Sequence, residues 1–172
     1  KGTVYLYFRS KEDVYLTLLA NALNALNARF ATAVQTSHDP VRQIRAIGDE
    51  FIHFFIESPG YFRLMHELTY PFMHADASAD ILQQVHRNSA ETWALITRCL
   101  QGGIDSGVLR NDFSAFEMAV VLWTNTSGLL RIIDARRGST LWQQRNEYSL
   151  SAMELRNLID KVNSVLMTSF SR

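Results

Sequence analysis

The sequence is poor in the residues that cross-link small proteins or bind metals in them. One cysteine, Cys99, stands in 172 residues, which excludes an intramolecular disulfide and a cysteine-based metal cluster. A lone thiol fits the reducing conditions of the cytosol, so we expect a cytoplasmic protein.

The chain also lacks a net charge and a long apolar run. Its 17 basic residues offset its 17 acidic residues, so any DNA contact must come from a local patch. The most apolar stretch, residues 118–130, is shorter than the roughly 20 residues of a membrane span. The polar run 124–127 also interrupts it, and we expect no membrane partner.

No catalytic motif is recognisable in the sequence. There is no glycine-rich phosphate loop, no Gly-x-Ser-x-Gly and no His-Glu-x-x-His. The five histidines show no ligand spacing, and His66, Glu67 and His86 would converge on a metal only by chance. We therefore predict that the chain is not an enzyme and has no metal site or cofactor.

Apolar residues recur at helical spacing, and no segment alternates with period two, which predicts an all-α fold without strands. Capping boxes start helices at Ser10, Ser114 and Ser151, an Asp39-Pro40 pair starts another, and Gly107 ends one. Loops are expected at 69–77 and 136–147. The predicted helices are 10–35, 41–57, 60–68, 79–106, 115–135 and 152–169.

The first of these helices would be about 37 Å long at about 1.5 Å per residue. Its apolar positions recur along one predicted face, which packs against the main body of helices. They are Val14, Leu18, Ala22, Leu26, Phe30 and Val34, flanked by Leu19 and Leu23.

A compact pattern of small, aromatic and charged residues opens the chain. It reads Gly2-Thr3-Val4-Tyr5-Leu6-Tyr7-Phe8-Arg9-Ser10-Lys11-Glu12-Asp13-Val14. The run resembles the end of the DNA-binding motif in TetR-family transcriptional regulators, where a recognition helix closes on Gly-Thr-aliphatic-Tyr-x-x-Phe-x-Ser-Lys-Glu-x-aliphatic. Gly-Val-Leu-Arg at 107–110 is also common in that family.

The resemblance implies a TetR-like all-α fold in three parts. Residues 1–9 would end the recognition helix, residues 10–37 would form a connecting helix, and residues 38–172 would form a ligand-binding and dimerisation domain. In the family two further helices precede this run. We therefore expect residues 1–172 alone not to bind an operator.

The same resemblance places DNA contacts around the opening motif. Ammonium and hydroxyl groups at a helix end contact phosphates and set the register on the duplex. The candidates are Lys1, Thr3, Tyr5, Tyr7 and Lys11.

Large apolar side chains cluster on four of the predicted helical segments, and this predicts a cavity for a small hydrophobic molecule. Each aromatic alone is more often plain core. Few basic residues fall on these faces, so we expect a neutral or cationic ligand rather than an anionic one. The predicted walls are Phe51, Phe55, Phe62, Met65, Trp93 and Trp123, and the predicted orienting groups are His66, Asn125 and Thr126.

The penultimate helix is apolar nearly all round, and one body of helices can cover only one side of it. We therefore predict a homodimer in which this helix and the last one meet their copies. The predicted contacts are Leu122, Leu129, Leu155, Leu158, Ile159, Val162, Val165 and Leu166.

Taken with the resemblance, these features imply a ligand-responsive DNA-binding regulator. It would be a repressor released from a near-palindromic double-stranded operator by a small hydrophobic inducer. Two alternatives stay open: an all-helical ligand-binding or protein-interaction module without DNA binding, and a helical-bundle enzyme. The sequence upstream of Lys1 would discriminate best between the first two.

Overall fold

The computed structural model describes residues 8–67, 77–137 and 152–171, and these residues form six α-helices. The helices are α1 (Lys11–Val34), α2 (Pro40–Glu57), α3 (Pro59–Glu67), α4 (Ala79–Asp105), α5 (Ala115–Arg137) and α6 (Ala152–Phe170). The predicted all-α fold is confirmed. In the described part of the chain, strand-like pairing is limited to one isolated antiparallel bridge between Leu109 and Ser171.

Two of the predicted helix starts are formed by local side-chain caps. The Ser10 hydroxyl accepts a hydrogen bond from the backbone N–H of Asp13 at 3.1 Å. At the start of α2, the Asp39 carboxylate accepts the backbone N–H of Val41 at 2.8 Å, with Pro40 as the first helical residue. These bonds satisfy donors that the first helical turn leaves free.

The capping box at α5 is reciprocal. The Ser114 hydroxyl accepts the backbone N–H of Glu117 at 3.2 Å, and the Glu117 carboxylate accepts the backbone N–H of Ser114 at 2.8 Å. Because the Ser114 N–H bond favours the ionised carboxylate, it lowers the pKa of Glu117. The third predicted box, at Ser151, lies outside the described residues.

Helix ends follow the predicted pattern at α4 and differ at α5. Gly107 has a positive φ of 76°, and the backbone N–H of Val108 donates back to the carbonyl of Gly103 at 3.0 Å. Only glycine adopts that backbone conformation without strain. The predicted loop 136–147 is wrong at its start, because α5 continues to Arg137, the last residue before Gly138. The rest of that loop and residues 68–76 lie outside the described residues.

The main core lies where the six helices meet. α1 packs against α2, α3 and α4, while α4 also contacts α2 and α5, and α6 packs against α5. Burying each large side chain contributes about 1.5–3 kcal/mol of stability. The fully buried side chains of this core include Phe30, Phe54, Phe55, Phe62, Leu100, Met118 and Leu130.

The buried face of α1 is rotated from the predicted one in its first two turns. Leu18, predicted to be inside, is 37% exposed, whereas Leu16 is fully buried. Leu16, Leu19 and Leu23 form a second cluster with side chains of α3 and α4. The prediction was wrong here because leucines lie on two adjacent faces of α1, and packing against α3 and α4 selects one of them.

Candidate functional site

A cavity of about 540 Å³ lies among α1, α2, α4, α5 and α6. This volume falls within the range of small-molecule sites in proteins. Most of its wall is apolar, with side chains from all five helices. The apolar lining consists of Phe30, Ile44, Ile47, Phe51, Ile96, Ala119, Leu122, Trp123 and Met167.

The polar lining is confined almost entirely to two of the five helices. α1, α4 and α5 contribute the Thr126 hydroxyl and the indole of Trp123, whereas α2 and α6 carry the charged groups. Two cationic and two anionic side chains stand there, so their charges balance. Three of these four are exposed to solvent. The polar lining from α2 and α6 is Arg45, Asp49, Asp160, Lys161, Asn163 and Ser164.

A polar pair links α5 to α6 at the cavity wall. Thr126 is 6% exposed, and its hydroxyl donates to Oδ1 of Asn163 at 3.3 Å. The Nδ2 group of Asn163 faces Gly48 of α2, because a Cβ atom built on that glycine would lie 3.7 Å from it. The helices α2 and α6 therefore approach one another where a glycine faces an amide.

The predicted aromatic walls divide into cavity lining and core. Phe51 and Trp123 line the cavity and stack with ring centroids 4.7 Å apart. Phe55 and Phe62 are 0% and 1% exposed, and their rings meet edge to face behind the lining. Trp93 does not line the cavity and lies against Trp123 at 5.5 Å between ring centroids. Met65 is half-buried against the core without lining the cavity.

The three predicted orienting groups are also separated. Thr126 lines the cavity, but Asn125 is exposed and donates to the carbonyl of Val121 on its own helix at 2.9 Å. His66 lies against the ring of Phe62 at 4.4 Å between ring centroids. Burial, together with the charge of Arg131, lowers the pKa of His66, which favours the neutral imidazole.

Sequence reasoning missed Phe30, Gly48, Ile96 and Asn163 as parts of the cavity. Gly48 could have been found from the sequence, because a glycine inside a predicted helix lowers its stability and usually has a packing or functional reason. Asn163 carried a weaker one, as an amide among the apolar residues of the last helix. Phe30 and Ile96 look like ordinary core positions in the sequence.

Four hydrogen bonds tie α1 to α4 along a seam, the longest from Asn27 Nδ2 to Glu91 Oε2 at 3.4 Å. Asn88 Nδ2 donates to the carbonyl of Ala20, and Asn27 Nδ2 donates to the carbonyl of Asn88, both at 2.8 Å. The Thr92 hydroxyl donates to Asn27 Oδ1 at 2.5 Å. Asn27 and Thr92 are 4% and 3% exposed, so either would be costly to leave unpaired. Each bond joins residues 61–68 positions apart, which means that the two helices run parallel.

Asp13 extends this seam to the starts of both helices. Its Oδ1 accepts from the backbone N–H of Ser78 at 2.7 Å and from the Ser78 hydroxyl at 2.9 Å, while Oδ2 accepts from the backbone N–H of Arg9 at 3.3 Å. The bond from the Ser78 backbone lowers the pKa of Asp13, and burial of the carboxyl acts in the opposite direction. The first turn of α1 therefore holds both Arg9, two residues before that helix, and the start of α4.

The predicted DNA contacts fall mainly at the start of the chain, before the described residues. Lys1, Thr3, Tyr5 and Tyr7 lie outside the described residues. Lys11 is exposed and is the first residue of α1. Its role in DNA binding stays a prediction.

The predicted dimer contacts occupy different environments in the single chain. Leu158 and Val165 on α6 are 36% and 65% exposed, and Val162 is half-buried. Ile159 is fully buried within the chain. Leu122, Leu129 and Leu166 are partly buried against the core, and Leu122 also lines the cavity. The side chain of Leu155 lies outside the described residues.

The chain has the fold of TetR-family transcriptional regulators. FadR from Bacillus halodurans, a fatty acid degradation regulator, matches with a TM-score of 0.71 at 14% identity, over 96% of this chain and 80% of that one. The ketosteroid transcriptional regulator KstR2 of Mycobacterium tuberculosis matches with a TM-score of 0.71 at 16% identity, over 99% and 78%. FadR from Bacillus subtilis, solved with stearoyl-CoA, matches with a TM-score of 0.64 at 16% identity, over 96% and 80%. No protein-family model and no curated protein matches the sequence.

The described residues contain neither a helix suited to cross a membrane nor a cluster suited to hold a metal ion. No helix among them combines the length and the apolar character needed to cross a membrane. In the same residues, no group of three or more His, Cys, Asp or Glu side chains is arranged to hold a metal ion.

Proposed function

We propose that this chain is the effector-binding and dimerisation part of a ligand-responsive DNA-binding transcriptional regulator. One observation carries the proposal: the cavity of about 540 Å³ is walled in part by Phe30, near one end of α1. The other end of α1 begins at Lys11, inside the opening motif of residues 2–14. A single helix therefore connects the cavity to the segment that resembles a recognition helix.

In this proposal residues 1–9 end the recognition helix, residues 10–37 connect it to the body, and residues 38–172 bind effector and partner copy. The TetR-like fold supports this division. A structure of similar fold was solved with stearoyl-CoA, which supports a hydrophobic effector for this cavity as well.

The connecting helix is suited to carry a displacement over a long distance. Phe30 and Lys11 lie about 29 Å apart along α1 at about 1.5 Å per residue. The α1–α4 seam binds α1 to a second helix that also reaches the cavity, through Ile96. A ligand that displaces Phe30 and Ile96 would therefore move α1 and α4 as a unit.

Such a ligand acts only if it binds one arrangement of the helices better than the other. We propose that the ligand-free arrangement matches the operator and that the ligand-bound one does not, which makes the protein a repressor released by its inducer. Lys11 would contact a phosphate beside the recognition helix.

We further propose that the working form is a homodimer joined through α5 and α6. These neighbouring helices expose large apolar side chains to solvent in the single chain, among them Ile132, Leu158 and Val165. A second copy related by a two-fold axis would cover both faces at once. Two-fold symmetry also matches a near-palindromic operator with half-sites about one helical turn apart.

The test uses the protein in its natural full-length form. DNA selected by it from a random library should contain a near-palindromic site, and hydrophobic compounds that raise its melting temperature should release that site. Compounds that bind the cavity of a protein with no preferred DNA sequence would instead favour the ligand-binding module without DNA binding.

A further inference from the structure

The two sides of the cavity differ in polarity, and this restricts what can occupy it. The walls from α1, α4 and α5 are apolar apart from the Thr126 hydroxyl and the indole of Trp123, while the walls from α2 and α6 carry the polar and charged groups. Of the charged groups, Arg45, Asp160 and Lys161 are exposed. A molecule that fills the cavity therefore needs an apolar body on one side and a polar group directed toward α2 and α6.

Among the polar groups at that side, Asn163 presents a hydrogen-bond donor. Because the Thr126 hydroxyl donates to Oδ1 of Asn163, the acceptor end of that amide is already used. Its Nδ2 group lies opposite Gly48. Within residues 8–67, 77–137 and 152–171, Nδ2 donates no hydrogen bond. The amide thus presents N–H donors to the cavity, and these match a ligand oxygen that accepts.

The charges of the lining select against an ionised ligand. Arg45 and Lys161 are balanced by Asp49 and Asp160, and the remaining lining residues are uncharged. A carboxylate held at Asn163 would lose its hydration without a matching excess of positive charge. A neutral carbonyl oxygen would lose little and would gain the amide hydrogen bond.

We propose that the cavity binds a neutral, ring-containing compound whose carbonyl oxygen accepts a hydrogen bond from Nδ2 of Asn163. Its ring packs against the stacked pair Phe51 and Trp123, in the cavity that Gly48 also lines. This proposal specifies the chemical class of the effector. That the bound compound acts as an effector rests on the proposed function. The binding chemistry itself depends only on the cavity.

The experiment compares three probes of similar shape by calorimetry with the full chain: a naphthyl methyl ketone, ethylnaphthalene and naphthoate. One buried hydrogen bond corresponds to a preference of about tenfold. We therefore expect the ketone to bind about tenfold more tightly than ethylnaphthalene and more tightly than naphthoate. Equal binding of ketone and hydrocarbon, tighter binding of naphthoate, or no binding of any probe would overturn the proposal.

Variants then assign the preference to one amide. Asn163→Leu should bring the ratio of the affinities for ketone and ethylnaphthalene to about one. Asn163→Asp, which keeps the shape of the side chain but lacks the N–H donors, should do the same. Asn157→Leu, the same substitution at an exposed site of α6, should keep the native ratio. A ketone preference that survives both Asn163 variants would contradict the assignment.

The outcome separates this proposal from the proposed function. A ketone that binds through Asn163 but leaves the operator complex of the full-length protein intact would support the cavity chemistry and contradict the inducer role. Compounds that release the operator but bind equally well to the Asn163 variants would support the inducer role and contradict the cavity chemistry.

Discussion

Oδ1 of Asp13 accepts the backbone N–H of Ser78 at 2.7 Å, so the first turn of α1 holds the residue that begins α4. Ser78 is the N-cap residue of α4, yet its own side chain makes no cap hydrogen bond to that helix and donates to Asp13 instead. One carboxylate therefore joins the starts of the two helices that both reach the cavity. It does so beside Arg9, at the edge of the segment that we propose to bind DNA.

Asp13→Asn should lower the melting temperature at neutral pH. Because the folded-state pKa of Asp13 lies below its ordinary value of 3.8, the ionised carboxylate stabilises the folded chain above that pH. The benefit declines as the pH falls below 3.8 and disappears below the folded pKa. Melting curves from neutral pH downward should therefore converge for the native chain and the variant.

Asp80→Asn provides the control for this titration. Asp80 is an exposed carboxylate in the first turn of the same helix α4, so its replacement should change the melting temperature little. If the difference in melting temperature between Asp13→Asn and the native chain stays constant with pH, ionisation of Asp13 does not contribute to stability as predicted.

Thr92→Val should destabilise the chain by about 1–3 kcal/mol, because it leaves the buried Oδ1 of Asn27 without its hydroxyl donor. Urea unfolding measures the loss. Thr32→Val makes the same substitution at an exposed position of α1, where the hydroxyl bonds only its own helix at the carbonyl of Ala28. That variant should lie near the native stability, and equal losses at both sites would argue against a special role for the seam.

Gly48→Ala should raise stability and weaken ligand binding in the same variant. Alanine in a helix interior is favoured over glycine by about 0.5–1 kcal/mol, and the added Cβ meets Asn163 Nδ2 at an ordinary contact distance of 3.7 Å. The same methyl group occupies space in the cavity lining beside Nδ2 of Asn163, the proposed ligand donor. Urea unfolding and calorimetry with the naphthyl methyl ketone measure the two effects.

Gly128→Ala is the matched control for this change. A Cβ at Gly128, inside α5, meets nothing within 4 Å in the single chain. We expect a similar gain in stability with unchanged ketone affinity. Loss of affinity in both variants would show that helix rigidity, and not the methyl group beside Asn163, controls binding.

Leu158→Glu should convert the protein from dimer to monomer, as a charge on the proposed α5–α6 interface would have to be desolvated. Sedimentation at micromolar concentration gives the oligomeric state. Ile56→Glu introduces the same charge at an apolar side chain of similar exposure, 38% against 36%, on α2, and should leave the dimer intact. A native chain that sediments as a monomer would contradict the dimer altogether.

Lys11→Ala should weaken DNA binding by the full-length protein on all sequences and reduce the salt slope by about one, since one phosphate contact is lost. Binding isotherms at several salt concentrations measure the slope. Lys161→Ala removes a lysine from the cavity side of α6 and should leave the slope unchanged. An unaltered slope for Lys11→Ala would remove this residue from the DNA interface.

The sequence by itself determined where most of the described helices begin and end. Caps such as Ser10, Asp39, Ser114 and Gly107 act through hydrogen bonds within a few residues, so their effect does not depend on the rest of the fold. The absence of period-two alternation likewise decided the fold class. The opening motif indicated the TetR-like architecture before any helix packing was known.

Only the tertiary structure decided which residues share the cavity and which bury themselves behind it. Periodicity placed Phe51, Phe55 and Phe62 on the apolar faces of their helices. Whether such a side chain packs in the core or lines the cavity depends on the rotation and spacing of the other helices. The pairing of Gly48 with Asn163 joins residues more than a hundred positions apart. No local rule predicts such a distance, because it follows from how five helices pack around one another.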